Sequence, residues 1–209
     1  MRYQRIDPTP PARPGALHIV WPMQGPDATE ILVFADAAEW ESWLRDNHAT
    51  SNGTWLVIAK KGSAIASVTI SDALDVALCY GWIDSQRKGH DSNSYVQRYS
   101  PRRRRSAWSR LNVARVEVLI EAGRMRERGL AEVDAAKSDG RWAAAYAGQR
   151  SATVPADLAA ALEKHDRARS AFERLGRPAQ YAVYLPVLKA TSPAERASRI
   201  SKAIADLEA

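Results

Sequence analysis

The sequence predicts an α+β protein, in which a small mixed or antiparallel sheet with packed helices is followed by a helical C-terminal region. Three observations predict it. The β-branched and aromatic-rich runs lie before residue 101, where they suit strands. Capping signals and apolar stripes of helical period dominate after it. No repeated strand–helix–strand units cross the whole chain, as a parallel doubly wound sheet would require. The 209 residues can bury a real core, and with 45% apolar and 26% charged residues the composition is that of a globular chain.

The elements follow in order. Prolines at 8, 10, 11, 14, 22 and 26 forbid a regular element early on, so residues 1–29 read as an irregular arm. Residues 31–34 form a short apolar run and a first strand. Asp36 caps a helix, with Glu39 completing a capping box. Trp40, Trp43 and Leu44 share one face of that helix, which ends near His48. Residues 55–59, WLVIA, read as a buried strand. Val68 and Ile70 form a short extended piece. Ser71 caps the next helix, and Gly81 lies just past its end, where left-handed geometry favours glycine. Residues 82–85 and 95–99 are two further strands, stopped by Pro101. The polar residues 86–94 suit a turn between them.

Helix is expected from there on. One helix spans residues 108–122 and a shorter one residues 130–137. A connection follows at 143–154. Pro155 opens a helix to His165, and Asp166 caps another to Leu175. Residues 178–190 are helical by pattern, with Pro186 a kink or break. Ser192, Pro193 and Glu195 open the last helix, whose stripe is Ile200, Ala203, Ile204 and Leu207. The expected organisation is an arm over 1–29, an α+β core over 30–150 and a helical segment over 151–209.

Charge is uneven. Residues 1–100 carry a net −2, residues 101–150 a net +6 and residues 151–209 a net +2. A concentrated basic stretch attracts phosphate, nucleic acid or an acidic partner, or is simply a solvated face. The single cysteine, Cys79, cannot form an internal disulfide and suits a reducing compartment. The first twenty residues lack a continuous apolar core, and no apolar run reaches spanning length, so cytoplasmic residence and no membrane span are expected. The four histidines show no paired metal spacing, and HExxH and CxxC are absent, which disfavours zinc. Without a Walker loop, GxGxxG or GxSxG, the common nucleotide and hydrolase chemistries lack support. No cofactor and no metal are expected.

Residues 79–112 read CYGWIDSQRKGHDSNSYVQRYSPRRRRSAWSRLN. The block holds Gly81 to Ser85 (GWIDS), then Ser100-Pro101-Arg102, then Ser106-Ala107-Trp108-Ser109 with Asn112. It resembles the YdeI/OmpD-associated family, also labelled bacteriocin-protection proteins. Upstream, Trp40, Trp43, Leu44 and Trp55-Leu56 are similar to that family's entry. Downstream, Gly123-Arg124-Met125 and Gly129 resemble its turn after the Trp-Ser helix. Residues 155–207 resemble the helical segment for which the family is named. There Arg196, Arg199 and Ile200 keep its arginine-rich pattern, with one arginine missing. The resemblance implies this fold type and a loose link to antimicrobial or envelope stress, and it implies no particular reaction.

The same residues have physical readings. Asp84, at the end of an apolar strand, could act as a base or bind a cation, or pair with an arginine such as Arg102. Trp82 and Trp108 could line a pocket or stack on bases, or pack in the core. Of the consecutive arginines 102–105, at most two can face one ligand. They could capture phosphate or carboxylate, or form a solvated loop. Trp108 and Asn112, four residues apart, would share one face of a helix, with Ser109 nearby. Cys79 reads as a small buried residue or a nucleophile needing a base such as His90. The expected ligand site is therefore Trp82, Asp84, Ser85, Arg102, Trp108, Ser109 and Asn112, with Asp84 facing an arginine of the Pro101 turn.

Three functional readings follow. The first is a ligand-binding module for a small or anionic molecule, linked to stress tolerance. The second is binding of nucleic acid or an acidic partner through the basic 102–126 region, without sequence-specific nucleic-acid recognition. The third is an enzyme using Asp84 as base.

Overall fold

Four strands and eight helices make up residues 31–209, which the computed structural model describes. The expected arm over residues 1–29 lies outside them. The strands are β1 (Ile31–Leu32), β2 (Thr54–Ala59), β3 (Trp82–Gly89) and β4 (Ser94–Pro101), in the sheet order β1-β2-β4-β3. β1 runs parallel to β2, and β2 antiparallel to β4, so the sheet is mixed. The fold class is the expected one. By compactness the chain forms two units. The first comprises the chain up to Ala73 together with Asp84–Ser100, and the second Leu74–Ile83 together with Pro101–Ala209.

In the first unit, α1 (Ala37–Asn47) begins as its sequence requires. The Asp36 carboxylate accepts from the backbone N–H groups of Ala38 and Glu39 at 2.8 and 3.0 Å. Glu39 accepts in return from Ala35 N at 2.8 Å, one residue before the cap. The helix buries Trp40 and Leu44 completely. The Trp40 ring lies 5.5 Å from Phe34, 5.4 Å from Trp43 and 5.8 Å from Tyr99, and its indole N–H donates to Ala73 O at 3.1 Å. The register pairs Val57 with Val96, and these two gather Ile31 and Trp55 into a second cluster. Asp91 shapes the β3–β4 turn by accepting from Asn93 N and Ser94 N, each at 2.7 Å. Those bonds, that from Asn93 first, hold its carboxyl below the usual range.

The helix α2 (Ile70–Cys79) starts earlier than expected. Thr69, not Ser71, is at its head: its hydroxyl accepts from Asp72 N at 3.1 Å and donates to the Asp72 carboxylate at 2.7 Å. Ile70 already belongs to this helix, so no strand forms at 68–70; Val68 N–H donates to Phe34 O at 2.8 Å. Gly81, at φ +73°, ends the helix in the left-handed conformation.

The second unit holds α3 (Arg110–Glu121), α4 (Glu127–Ser138), α5 (Ala156–Leu162), α6 (Asp166–Glu173), α7 (Arg177–Leu188) and α8 (Pro193–Glu208). Gly129, expected in a turn, lies inside α4. It is there because α4 passes against the end of α2. A Cβ at Gly129 would come within 2.2 Å of the Cys79 carbonyl oxygen, which also accepts from Arg126 N at 3.0 Å. Asp166 is the first residue of α6 rather than its cap, and α7 continues through Pro186 to Leu188.

The last four helices enclose a core of Leu158, Leu162, Phe172, Tyr184 and Ile204. The α8 stripe of Ile200, Ala203, Ile204 and Leu207 packs into it as expected. Ser192 caps α8 by accepting from Glu195 N at 3.2 Å. Arg196 ties three helices together. It grips the Asp157 carboxylate at 2.6 and 2.9 Å and donates to Val187 O at 3.0 Å. That grip holds the Asp157 carboxyl below its usual range.

Candidate functional site

The expected site residues are distributed over both units. Asp84 and Ser85 belong to the first, half-buried and exposed in turn on β3. Further along the hairpin, Arg87 lies over the Tyr95 ring, 4.4 Å from its centre, and its Nε donates to Gln97 at 3.1 Å.

The remaining five residues lie in the second unit, where Trp82, Arg102 and Trp108 are buried to 1%, 5% and 2% exposure. Arg102 N donates to Gly81 O at 3.0 Å, and its guanidinium lies over Trp108, 3.6 Å from the ring centre. Such a desolvated cation–π contact is worth on the order of 2 kcal/mol. Trp142 packs on Trp108 at 4.9 Å. The Trp108 Nε1–H is buried without a hydrogen-bond partner among the described residues. Arg103, Arg104 and Arg105 are exposed, so the four-arginine run sends one member inward and three to solvent.

Trp108 does not open α3. Ser109 is the N-cap in an extended conformation, its hydroxyl accepting from Asn112 N at 3.2 Å. Trp108 instead belongs to an extended segment, with its carbonyl accepting from Tyr146 N at 2.9 Å. Trp108 and Asn112 therefore do not share a helix face; a serine hydroxyl at the boundary outcompetes helical continuation through it. Other arginines of the basic region are engaged as well. Arg115 pairs with Asp75 at 2.7 Å. Arg141 grips Asp139 at 2.7 and 2.9 Å and donates to Ser106 O at 3.0 Å.

Two concave features of the second unit have none of the expected site residues in their walls. The smaller, about 180 Å³, is bordered by Ala107, Arg141 and Lys189. The larger is a groove of about 770 Å³ along α7 and α8. Its walls are Val183, Leu185, Pro186 and Leu207, and Lys189, Arg199, Lys202 and Asp206 stand in it. Pro186 has no N–H to give to the carbonyl of Ala182, one turn back on the same wall. Arg199 donates to the Pro186 carbonyl and pairs with Glu195. Backbone N–H donation from Thr191 and then its hydroxyl keep the Glu195 carboxyl low. Lys202 pairs with Asp206 at 3.0 Å, both largely exposed. Lys189 Nζ stands 5.2 Å from the centre of the Tyr146 ring. Sequence reasoning missed this groove. Its only local signal was a proline inside an apolar helical pattern, followed by cations on the next helix.

Among the described residues no cluster of three or more His, Cys, Asp or Glu could hold a metal ion, and no helix is long and apolar enough to cross a membrane. Cys79 is buried.

Two family models match the chain. Residues 32–132 match one described as a domain of unknown function (DUF8412). Residues 151–209 match one described as "Bacteriocin-protection, YdeI or OmpD-Associated". The block of residues 79–112 thus falls within the first match, and the helical segment of α5 to α8 within the second. Neither the curated proteins nor the solved structures contain a match. The α5–α8 segment thus carries the chain's likeness to the YdeI/OmpD-associated family.

Proposed function

We propose that the protein is a ligand-binding module whose occupancy is linked to antimicrobial or envelope stress tolerance, and that its ligand lies in the α7–α8 groove. One observation carries this reading: the groove, about 770 Å³, lies wholly in the segment that matches the bacteriocin-protection family. Its volume is within the range of small-molecule sites, roughly 300–1,000 Å³. Its mixture of apolar wall and a few charged groups is the pattern by which such sites bind and orient a ligand. The alternative site at Arg102 and Trp108 is already filled by its own side chains. A ligand there would have to displace a packed cation–π pair.

Filling the groove tests the reading. Ala182 is exposed on its wall, so Ala182→Trp occludes it without demanding space in the core. The unmodified chain should show amide shift changes along α7 and α8 in NMR titrations with small apolar and anionic fragments, and Ala182→Trp should lose them. On this reading the unmodified chain should raise a bacterial host's tolerance of antimicrobial or envelope stress, and the same variant should not. Equal binding and equal tolerance in the filled variant would overturn the proposal.

A further inference from the structure

The helix α3 turns an apolar stripe to solvent. Leu111 and Val118, 70% and 63% exposed, are the two most exposed large apolar side chains among the described residues. Ala114 lies between them and Ala122 is the C-cap, both also exposed. The four stand at i, i+3, i+7 and i+11, the spacing of a helix–helix seam. The other face of α3 already supplies the core with Val116 and Leu119, so burial within the chain does not account for the stripe. A small residue between two larger ones lets a second helix approach and interdigitate.

The charges on α3 are an independent observation. Anions are favoured at a helix N-terminus and cations at its C-terminus. Here Arg110 is the first residue and Glu121 the last, with no acid in the first turn and no base in the last turn. Arg110, Glu117 and Glu121 are all exposed, and their spacing of seven and four puts them on one flank of the stripe. Arg110 Nε donates to Ala145 O at 3.2 Å, which fixes the guanidinium near the helix start. Among the described residues neither Glu117 nor Glu121 enters an ion pair.

We propose that α3 is a contact between two copies of this chain, paired antiparallel through Leu111, Ala114 and Val118. With Leu111 of one copy against Val118 of the other, Arg110 falls between Glu117 and Glu121 of the other copy, and two-fold symmetry repeats the match. Each helix end then meets opposite charge, and the two dipoles run in opposite directions. A parallel pair would set Arg110 on Arg110 and Glu117 on Glu117. An anionic partner or membrane surface would meet the two glutamates, and a cationic one would meet Arg110. A reversed copy of the same helix matches both signs. One helix face is a small interface, so the pair is weak, with Kd between about 1 µM and about 1 mM.

Sedimentation velocity on the full chain across that range should show reversible dimerisation. The double variant Leu111→Ser, Val118→Ser, at two exposed positions, should weaken it about tenfold or more, or about 1.4 kcal/mol or more, with an unchanged circular dichroism spectrum. Arg110→Glu makes the flank wholly acidic, and Glu117→Arg with Glu121→Arg makes it wholly basic. Each of these chains alone should lose dimerisation and an equimolar mixture should recover it, which a folding defect could not produce. Direction is read by disulfide cross-linking under mild oxidation, with the native Cys79 buried. Leu111→Cys and Val118→Cys chains should link to each other faster than either links to itself. A chain that stays monomeric at about 1 mM would overturn the proposal. A dimer indifferent to the double serine variant, or a charge mixture that does not recover, would also overturn it. Faster linking of each cysteine variant to itself would overturn the antiparallel arrangement.

Discussion

The first unit and the α5–α8 bundle solve the same burial problem with different side chains. The first unit gathers Trp40, Trp43, Phe34 and Tyr99 around one short helix. Residues 151–209 contain fifteen alanines and no tryptophan. A large aromatic buries much area at one position, so stability there concentrates in few residues. Alanine-rich helices bury little each, so the bundle relies on close approach, caps and ion pairs such as Arg196 with Asp157. The same scarcity of large side chains accompanies the groove along α7 and α8. The difference teaches that the aromatic region is built for packing, while the plainer region carries the concave surface.

The largest expected effect lies in the aromatic region. Trp40→Ala should cost about 3–5 kcal/mol, as large-to-small changes at fully buried aromatic positions do, read from urea denaturation. A loss below about 1 kcal/mol would break the claim that few aromatics dominate there. A middle case tests close approach where no side chain fits. Gly129→Ala should cost about 1–3 kcal/mol or more through overpacking, since its Cβ would sit 2.2 Å from a backbone oxygen. Gly89→Ala, whose Cβ would meet nothing within 4 Å, should be near neutral by the same assay.

The smallest effect belongs to the ion pair. Asp157→Asn should cost about 0.2–1 kcal/mol at neutral pH, because both partners are partly exposed. Its pH signature sharpens the comparison. The folded Asp157 carboxyl titrates below its unfolded range, chiefly through the Arg196 hydrogen bond. Its contribution is therefore present above the unfolded value of about 3.9 and is lost as pH falls through the lower folded value. Thermal melts between neutral pH and about pH 3 should show a shallower acid loss for Asp157→Asn than for the unmodified chain. Parallel curves would remove Asp157 from the acid response.

Much of this was legible in the sequence by itself. The strands' location before residue 101, the Asp36 and Ser192 caps and the α8 stripe follow from local rules: backbone donors near a polar side chain, and apolar spacing along one helix. The likeness of residues 151–209 to the YdeI/OmpD-associated family was legible for the same reason, since residue order is a property of the chain, whereas the block 79–112 falls in the match to a domain of unknown function. Other features were decided only by tertiary structure. Ser109 rather than Trp108 heads α3 because Trp108 is drawn into an extended pairing with Tyr146, 38 positions away in the chain. Gly129 reads as a turn residue until the end of α2 is placed against it. Arg102 and its three neighbours are identical in sequence, and only the Trp108 ring selects which one is buried. The groove needed two helices side by side, because a concave surface belongs to the pair and leaves no periodicity in either helix alone.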